Sequence, residues 1–391
     1  MSEAVRLDGE QSASGDAAAV LNPEALSERA RSTSPDQGLA LWLTDAALPL
    51  WVEAGHCPKT LICEEALGFE GQSAGLSFTR LRVQARQLYV YSRAALAGCG
   101  PVYATRAAEI FDGLIRHGWR EPGGFVHTLA RGGGPRNDTR DLYDHAFVLF
   151  ALSWYHRASG DPQALIWADK VQDFLDAALR PADGKGYLET PKGHLPRRQN
   201  PHMHLFEAYL ALFEATGDER WLGGAAEMLG LFLCHVWDRR TGLINEFFEA
   251  DWSVRTPQGR PPFEPGHHFE WAWLLSEYQR LSGEDLSFVI RRVFNTALNL
   301  GRCAETGFAM DYMDRTGPAG DSRRLWPQAE LIRALNLFRP AEAEIMEERL
   351  RSHYLNTGKP GLWFDRMADG ENVARHVPAS TLYHLVGIAW D

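Results

Sequence analysis

Residues 264–275 of the chain read Glu-Pro-Gly-His-His-Phe-Glu-Trp-Ala-Trp-Leu-Leu, a Pro-Gly break that leads directly into an apolar helical pattern. Proline is well suited to the first turn of a helix, and the apolar residues that follow recur at helical spacing. His267 and Glu270 are three residues apart, which places both side chains on one face of the first turns. We therefore expect a helix that presents an imidazole near its start, with a carboxylate beside it to orient the ring.

Similar features occur at two other places in the chain. Residues 200–207 read Asn-Pro-His-Met-His-Leu-Phe-Glu, and His204 and Glu207 are again three residues apart. His384 lies in the last apolar segment, residues 378–384. Three histidines at the starts or inner faces of widely spaced helices indicate acid/base chemistry on a neutral polar substrate.

Composition limits the class of partner. The chain has 391 residues, of which 45% are hydrophobic and 23% are charged, which is typical of a protein with a large apolar core. Its formal net charge of -11 is spread along the chain without a basic block. We therefore expect no nucleic-acid partner and a small-molecule substrate that is neutral or cationic.

Cysteine usage and hydropathy indicate the compartment. The chain has five cysteines, an odd number, and they form no Cys-x-x-Cys pair. This usage is typical of a reduced protein, so we predict a cytoplasmic location. No apolar run approaches the eighteen or so residues that a membrane-spanning helix needs, so we expect no membrane partner. The assembly is expected to be a monomer or a homodimer.

Amphipathic stretches alternate with loops rich in glycine and proline over most of the chain. The predicted helices are 40–53, 77–97, 102–118, 140–159, 161–181, 201–216, 218–238, 266–282, 286–300, 326–337, 340–357 and 379–389. Short Gly-Asp connections, such as 159–162 and 216–219, join neighbours as antiparallel hairpins, because glycine ends one helix and aspartate caps the next. The long connections are 119–139, 182–199, 239–263 and 301–325.

Twelve helices in six hairpins indicate an all-α protein with an (α/α)6 barrel. Long loops gathered at one end would form the pocket, with the starts of the inner helices facing it. We predict a single catalytic domain over residues 40–391. Residues 1–39 are rich in Ser, Ala, Asp and Glu, and we expect them to be a disordered leader.

Six motifs follow one another along this pattern. They are 80–87 (Arg-Leu-Arg-Val-Gln-Ala-Arg-Gln), 141–147 (Asp-Leu-Tyr-Asp-His-Ala-Phe), 200–207, 265–270, 326–330 (Trp-Pro-Gln-Ala-Glu) and 382–384 (Leu-Tyr-His). In this order they resemble the N-acylglucosamine 2-epimerase superfamily, which includes cellobiose 2-epimerases, mannose isomerases and sulfoquinovose isomerases. The resemblance covers the chain from about residue 40 onwards. It implies an (α/α)6 barrel and proton transfer at C2 of an open-chain sugar through a cis-enediolate, with no cofactor.

The resemblance also implies roles for individual residues. The two acid/base histidines fall on His267 and His384, and the third histidine of the family falls on His204. The implied substrate-binding residues are Arg80, Arg86, Asn200, Glu207, Glu270, Trp326, Gln328 and Glu330. Of the two arginines, we prefer Arg80 as the one that contacts the sugar oxygens.

Several residues near these motifs have two interpretations. Asp144 and His145 either join two helices or belong to the site. Arg197 and Arg198 are either surface charges or the phosphate contact of a sugar phosphate. His268 departs from the family motif, and its role is open.

We predict a cofactor-independent isomerase that interconverts an aldose and a ketose of the mannose/fructose type. The alternatives are a sugar 2-epimerase acting on glucose/mannose, cellobiose or N-acylglucosamine, and a mannose-6-phosphate isomerase. A glycoside hydrolase is disfavoured because it would centre on two carboxylates rather than on histidines. A sugar-binding protein without activity is disfavoured because the histidines are intact. No metal is expected, since His-x-x-Glu lacks the i, i+4 histidine pair of zinc helices.

Overall fold

The computed structural model describes residues 38–256 and 262–391, and the structural statements below concern those residues. The predicted leader, 1–39, lies outside them except for its last two positions. The helices, in chain order, are α1 (39–54, comprising Leu39–Trp42, a π turn Leu43–Ala47 and Leu48–Ala54), α2 (Leu81–Leu96), α3 (Pro101–Gly118), α4 (Leu142–Ser159), α5 (Pro162–Ala178), α6 (Gln199–Thr216), α7 (Glu219–Leu231, then a π turn Phe232–Val236), α8 (Pro265–Ser282), α9 (Ser287–Leu300), α10 (Leu325–Phe338), α11 (Pro340–Leu350, then a π turn Arg351–Leu355) and α12 (Leu382–Trp390, preceded by a 3-10 turn Ala379–Thr381).

The helices form two concentric rings. Helices α2, α4, α6, α8, α10 and α12 make the inner ring, in which each helix contacts the next and α12 contacts α2. Helices α3, α5, α7, α9 and α11 each pack outside the inner helix that precedes them, and α1 packs against α12. The apolar core fills the space between the rings and includes Trp51, Phe206 and Trp271. The prediction of an (α/α)6 barrel is confirmed.

Short hairpins occupy the long connections. The strands are β1 (His56–Cys57), β2 (Ile62–Cys63), β3 (Ala66–Leu67), β4 (Phe78–Arg80), β5 (Thr128–Ala130), β6 (Pro135–Asn137), β7 (Arg197–Arg198), β8 (Phe247–Phe248), β9 (Tyr312–Met313), β10 (Pro318–Ala319), β11 (Arg323–Arg324), β12 (Arg366–Ala368), β13 (Glu371–Asn372) and β14 (Val377–Pro378). All pair antiparallel, as β1–β2, β3–β14, β4–β5–β6, β7–β8, β9–β10 and β11–β12–β13. Strands β4, β7, β11 and β14 run directly into inner helices, so the hairpins surround the N-terminal end of the inner ring.

The short connections on the other side of the barrel follow the expected capping chemistry. Gly160 ends α4 with φ of 69°, a left-handed conformation that glycine adopts without a steric penalty. Asp161 then accepts a hydrogen bond from the backbone N–H of Gln163 in the first turn of α5. The connection between α6 and α7 repeats this arrangement with Gly217 and Asp218.

A buried polar side chain fastens each of five inner helices to the connection that precedes it. These side chains, which we call the staple residues, lie four positions after the N-cap of their helices: Gln84, His145, His202, His268 and Gln328. In each histidine, Nε2 accepts a backbone N–H of the preceding connection at 2.8–3.0 Å. Nδ1 then donates to the carbonyl oxygen of the N-cap residue at 2.7–2.9 Å. The staple residues thus satisfy buried backbone groups that would otherwise lack partners.

The staple explains three residues whose roles were open or were assigned to the pocket. His145 and His268 hold backbone groups, so both are structural. Gln328, expected in the pocket wall, is not placed there, because its amide bonds the backbone N–H and carbonyl of Ala309 and the carbonyl of Arg324. Both amide hydrogens of Gln328 are thus engaged by backbone carbonyls.

The histidine staples make the fold sensitive to acid. Burial lowers the pKa of His145, His202 and His268 to about 4, well below the 6.5 of an exposed histidine. The unfolded chain therefore takes up protons before the folded one, so stability present above pH 6.5 is lost as the pH falls towards 4. Each histidine contributes at most about 3 kcal/mol to this loss.

Replacing His145 with Gln should keep the staple but remove its titration, because Gln84 and Gln328 already fill this position. We expect the free energy of unfolding at pH 7 to stay within about 1.5 kcal/mol of the unmodified protein. Its decline between pH 7 and 5 should shrink by up to about 2 kcal/mol. Urea titrations at both pH values measure this, with His145→Ala as the control that loses the bond. Equal acid sensitivity in His145→Gln and the unmodified protein would contradict the assignment.

None of the described helices combines the length and the apolar character that crossing a lipid bilayer would require.

Candidate active site

Side chains at one repeated helical position meet in the middle of the inner ring. They lie six positions after the N-cap residue of each inner helix, counted for α12 from the N-cap of its preceding 3-10 turn: Arg86, Phe147, His204, Glu270, Glu330 and His384. We call them the central layer. The ring of Phe147 is 4.4 Å from that of His204, and His204 Nε2 is 3.7 Å from Glu270 Oε1. Ligating atoms of Glu270, Glu330 and His384 all lie within 4.8 Å of one another.

His267 lies in the first turn of α8 and is held on both ring nitrogens. Its Nδ1 is 2.9 Å from the carboxylate of Glu246, and its Nε2 is 3.0 Å from the amide of Asn200. Burial disfavours the imidazolium, but the carboxylates of Glu246 and Glu264 outweigh this and raise the pKa of His267. His267 is therefore the histidine of the site that holds a proton most readily.

We expected Glu270 to orient His267, but Glu246 does so in the structure. Glu270 is three residues away on the same helix, but its side chain joins the central layer rather than the His267 ring. Glu246, in the connection between α7 and α8, takes the Nδ1 position instead. A long-range partner reaches the ring because the connection passes over the start of α8.

His384 has the opposite electrostatic environment. Its Nδ1 donates to Glu330 at 2.6 Å, which leaves the lone pair of Nε2 available as a base. Burial lowers the pKa of His384 well below the usual value, and the neighbouring cation Arg86 lowers it further. His384 is thus a neutral imidazole where His267 favours the charged form.

Trp326 joins the two histidines. Its ring centroid lies 5.2 Å from that of His267 and 5.5 Å from that of His384. Gly266 makes this position possible, because a Cβ atom there would come within 2.5 Å of the indole. The indole therefore lies against both imidazoles.

His204 lies deeper, under aromatic rings. Its Nδ1 is 2.9 Å from Glu207, and Tyr383 donates its hydroxyl to the other oxygen of Glu207. Burial and the neighbouring carboxylates of Glu330 and Glu207 raise the pKa of Glu270 well above its usual value. Burial lowers the pKa of His204 to about 4 although Glu207 opposes this. His204 is a neutral group that orders the floor of the pocket.

The structure reverses the preference between the two arginines. Arg80 is the N-cap of α2, and Glu65 accepts both its backbone N–H and its guanidinium. Arg86 belongs to the central layer, where its guanidinium lies 4.2 Å from the Phe147 ring and 4.9 Å from the Tyr383 ring. It is Arg86, therefore, that faces the pocket.

Arg86 still has capacity to bind a ligand. Its guanidinium donates to the hydroxyl of Tyr143 at 3.1 Å and to the carbonyl of Ser380 at 3.3 Å, whereas its buried Nε has no partner among the described residues. A buried cation with an unused donor suits an anionic oxygen of a substrate.

Of the two arginines considered as a phosphate contact, Arg198 lines a cavity of about 300 Å³ together with Glu189. Arg198 repeats the arrangement of Arg80, with its backbone N–H and guanidinium both bound by Glu189. Arg197 is buried, lies over the ring of Trp252 and donates to the carbonyl of Lys185. Arg197 therefore serves the fold, and Nε and one terminal nitrogen of Arg198 are directed to the carboxylates of Glu189 and Asp141.

Two cavities flank the mouth of the barrel. One, of about 410 Å³, is lined by residues that include Glu246, Arg255 and Asp314. The other, of about 300 Å³, is lined by residues that include His127 and Glu189. The first borders the carboxylate that holds His267, so space for a ligand adjoins the candidate catalytic groups.

Residues of the metal-ligating types also meet in the central layer. His204, Glu207 and Glu270 form one such group, and Glu270, Glu330 and His384 form another. Arg86 and Arg333 lie beside these groups, and their positive charge opposes a bound cation. Glu207 and Glu330 also accept hydrogen bonds from histidine and tyrosine side chains, so these groups suit acid/base chemistry better than metal ligation.

Sequence reasoning missed two residues of this site. Glu246 had no local spacing that linked it to His267. Tyr143, two positions after the N-cap of α4, occupies the helical position that Asn200 and Trp326 occupy in their own helices. That periodicity across the inner helices was the signal that would have found it.

Comparisons with known proteins agree with this fold. Residues 65–388 match the family model described as N-acylglucosamine 2-epimerase (GlcNAc 2-epimerase). The chain is 34% identical over 370 residues to a mannose-6-phosphate isomerase from Rhizobium meliloti (strain 1021), covering 89% of this chain and 94% of that protein. It is 28% identical over 327 residues to a cellobiose 2-epimerase from Bacteroides fragilis, covering 76% of this chain and 80% of that protein.

A solved structure shares the architecture. A crystal structure of D-mannose isomerase matches with a TM-score of 0.77 at 19% identity, covering 96% of this chain and 98% of the other. At this identity the likeness concerns the fold. The family model, by contrast, spans most of the chain and includes the motifs that carry His204, His267 and His384. The chain therefore belongs to the N-acylglucosamine 2-epimerase family of carbohydrate isomerases and epimerases.

Proposed function

We propose that the protein interconverts mannose and fructose through a cis-enediolate, with His384 as the base and His267 as the acid. The observation that carries this proposal is the opposite tuning of the two histidines around one indole. Burial and Arg86 lower the pKa of His384, whereas Glu246 and Glu264 raise that of His267. Pairs of groups whose environments push their pKa values apart are typical of divided acid and base roles.

The first half of the reaction requires a base at C2. In the open-chain aldose, Nε2 of His384 removes the C2 proton, and the electron pair of the C–H bond forms the C1–C2 double bond. The negative charge then develops on O1. Nε2 of His267 gives its proton to O1, and the guanidinium of Arg86 stabilises the charge as it forms.

The second half reverses these roles. His267, now neutral, accepts the proton of the C2 hydroxyl, and the C2 carbonyl forms. The electron pair of the C1–C2 bond takes the proton from His384 at C1, which yields the ketose. One hydrogen has moved from C2 to C1 and one from O2 to O1, so both histidines end in their starting states.

A single neutral base favours isomerisation over 2-epimerisation. Epimerisation needs a second group that supplies a proton to C2 on the opposite face. In the reverse reaction that group must remove the proton from C2. The carboxylates of Glu246 and Glu264 raise the pKa of His267, so it suits proton exchange with oxygen. The 28% identity to a cellobiose 2-epimerase keeps epimerisation as the alternative that must be measured.

An unphosphorylated substrate suits the charges at the pocket mouth. The N-cap arginines Arg80, Arg198 and Arg324 are bound by carboxylates from the preceding connections. A phosphate would have to displace one of these carboxylates. The 34% identity to a mannose-6-phosphate isomerase makes the phosphorylated sugar the second candidate.

Initial rates of the purified protein with five sugars test the substrate. The sugars are mannose, mannose 6-phosphate, glucose, cellobiose and N-acetylglucosamine, with products separated by chromatography. We expect fructose from mannose, with kcat/KM at least tenfold above that for every other sugar. Faster conversion of mannose 6-phosphate would transfer the proposal to the phosphorylated sugar, and faster epimerisation would make the protein a 2-epimerase. No conversion of any of them would overturn the proposed function.

A further inference from the structure

A string of charged side chains runs from His384 to the far end of the barrel. Glu330, which holds His384 Nδ1 with one oxygen, has its second oxygen 3.7 Å from the guanidinium of Arg333. Arg333 also donates to one oxygen of Asp391. The other oxygen of Asp391 lies 3.0 Å from Arg93.

The gap between Arg333 and Glu330 is the informative distance. At 3.7 Å it is too long for a hydrogen bond, and the second oxygen of Glu330 is buried without a partner among the described residues. Arg333 has instead turned its guanidinium to Asp391. Its position is also fixed by stacking, since the guanidinium carbon lies 3.2 Å from the centre of the Trp273 ring.

Burial makes these charges matter over distance. The side chains of Arg333 and Arg93 are 8% and 9% exposed, and that of Asp391 is 14% exposed. Solvent therefore screens their interaction with His384 only weakly. Burial raises the pKa of Glu330, and the charge of Arg333 acts in the opposite direction.

We propose that Asp391 is a positioning residue for the reaction, whose carboxylate holds Arg333 back from Glu330 and thereby keeps Glu330 bonded to His384. This inference rests on the proposed role of His384. If Asp391 lost its charge, Arg333 would close on the free oxygen of Glu330 and compete for its negative charge. The uncompensated cation would also make His384 harder to protonate.

The other charged or titratable groups around His384 keep their chemical identity in this comparison. By element they are Arg86 of α2, His204 and Glu207 of α6, His267 and Glu270 of α8, Glu330 and Arg333 of α10, and Tyr383 of α12. A substitution at Asp391 or Arg93 alters none of these side chains chemically. A change in the pKa of His384 would therefore come from the charges of Arg333, Asp391 and Arg93.

Two substitutions, Asp391→Asn and Arg93→Gln, should shift the pKa of His384 in opposite directions. Asp391→Asn removes a negative charge, so the acidic limb of the kcat/KM profile should move to lower pH by about 0.5 to 1 unit. The plateau should fall about fivefold because the base is weaker. Arg93→Gln removes a positive charge, so the acidic limb should move to higher pH. Asp391→Glu should restore the original profile.

Glu214→Gln is the matched control. Glu214 pairs with Arg157 and Arg280, so its substitution also removes one carboxylate from an ion-pair network without touching Arg333. We expect no change in its pH profile. Thermal unfolding of all variants shows whether each is folded at the assay temperature. If Asp391→Asn does not fold, the position of the acidic limb in Arg93→Gln tests the inference, and an unchanged limb would refute it.

NMR titration of histidine-labelled protein separates this inference from the proposed function. It gives the pKa of His384 without turnover, with the resonance assigned by its loss in His384→Gln. Opposite shifts in Asp391→Asn and Arg93→Gln support the inference. If wild-type protein converts sugars and neither variant shifts His384, only the role of Asp391 is refuted. If no sugar is converted but the shifts occur, the proposed function fails alone.

Discussion

Replacing His384 with Gln is expected to lower kcat for mannose isomerisation by about 10³-fold, with KM changed by less than about threefold. A positioned general base contributes roughly 10² to 10⁴ in rate, and His384 supplies the proton transfer at both C2 and C1. Glutamine can still donate its amide to Glu330 in place of Nδ1, so the fold around the site should persist. Steady-state rates, with thermal unfolding measured on the same preparation, check this result.

His353→Gln is the matched control, because His353 is an exposed histidine in the π turn after α11. It should retain full activity. Activity of His384→Gln within tenfold of the unmodified protein would contradict the assignment of His384 as the base.

Replacing Glu246 with Gln is expected to lower kcat at pH 7 by about 10²-fold and to change the shape of the pH profile. The carboxylate of Glu246 holds Nδ1 of His267 at 2.9 Å and, with Glu264, raises its pKa. His267 acts as an acid, so the rate falls as the pH rises through its pKa. Without the Glu246 charge this pKa drops, and the alkaline limb of kcat should move to lower pH. A kcat profile between pH 5 and 9 measures the shift.

Glu249→Gln provides the control for this substitution. Glu249 lies in the same connection but is half exposed and 3.6 Å from Arg255 rather than near His267. Its removal should leave both limbs of the profile unchanged. An alkaline limb that stays in place in Glu246→Gln would show that His267 is not the acid of the reaction.

The fold was predictable because its signals are local. Pro-Gly breaks, Gly-Asp connections and helical spacing each act within a few residues, and they placed all twelve helices within a few positions of their observed bounds. His204, His267 and His384 followed from motifs at the starts of those helices, and the structure brings them to one end of the inner ring.

Partnerships within the site were harder to predict, because they depend on which loop passes over which helix. The i+3 spacing correctly paired His204 with Glu207, but the same spacing failed for His267, where Glu246 lies 21 residues away. Gln328 was misassigned because its motif position says nothing about the backbone groups that a neighbouring connection leaves unpaired. The sequence does not distinguish Arg80 from Arg86, because it does not show that Glu65 binds Arg80.

Proton NMR of mannose conversion in heavy water tests the central claim most directly, because it records where the base delivers a proton. If His384 is the single base, it returns hydrogen to C1 on one face only, so any deuterium that early fructose acquires by exchange at His384 should lie in one of the two diastereotopic C1 positions. No glucose should form at a comparable rate. Deuterium in both C1 positions, or glucose labelled at C2 appearing as fast as fructose, would contradict a single base and refute the account given for His384 and His267.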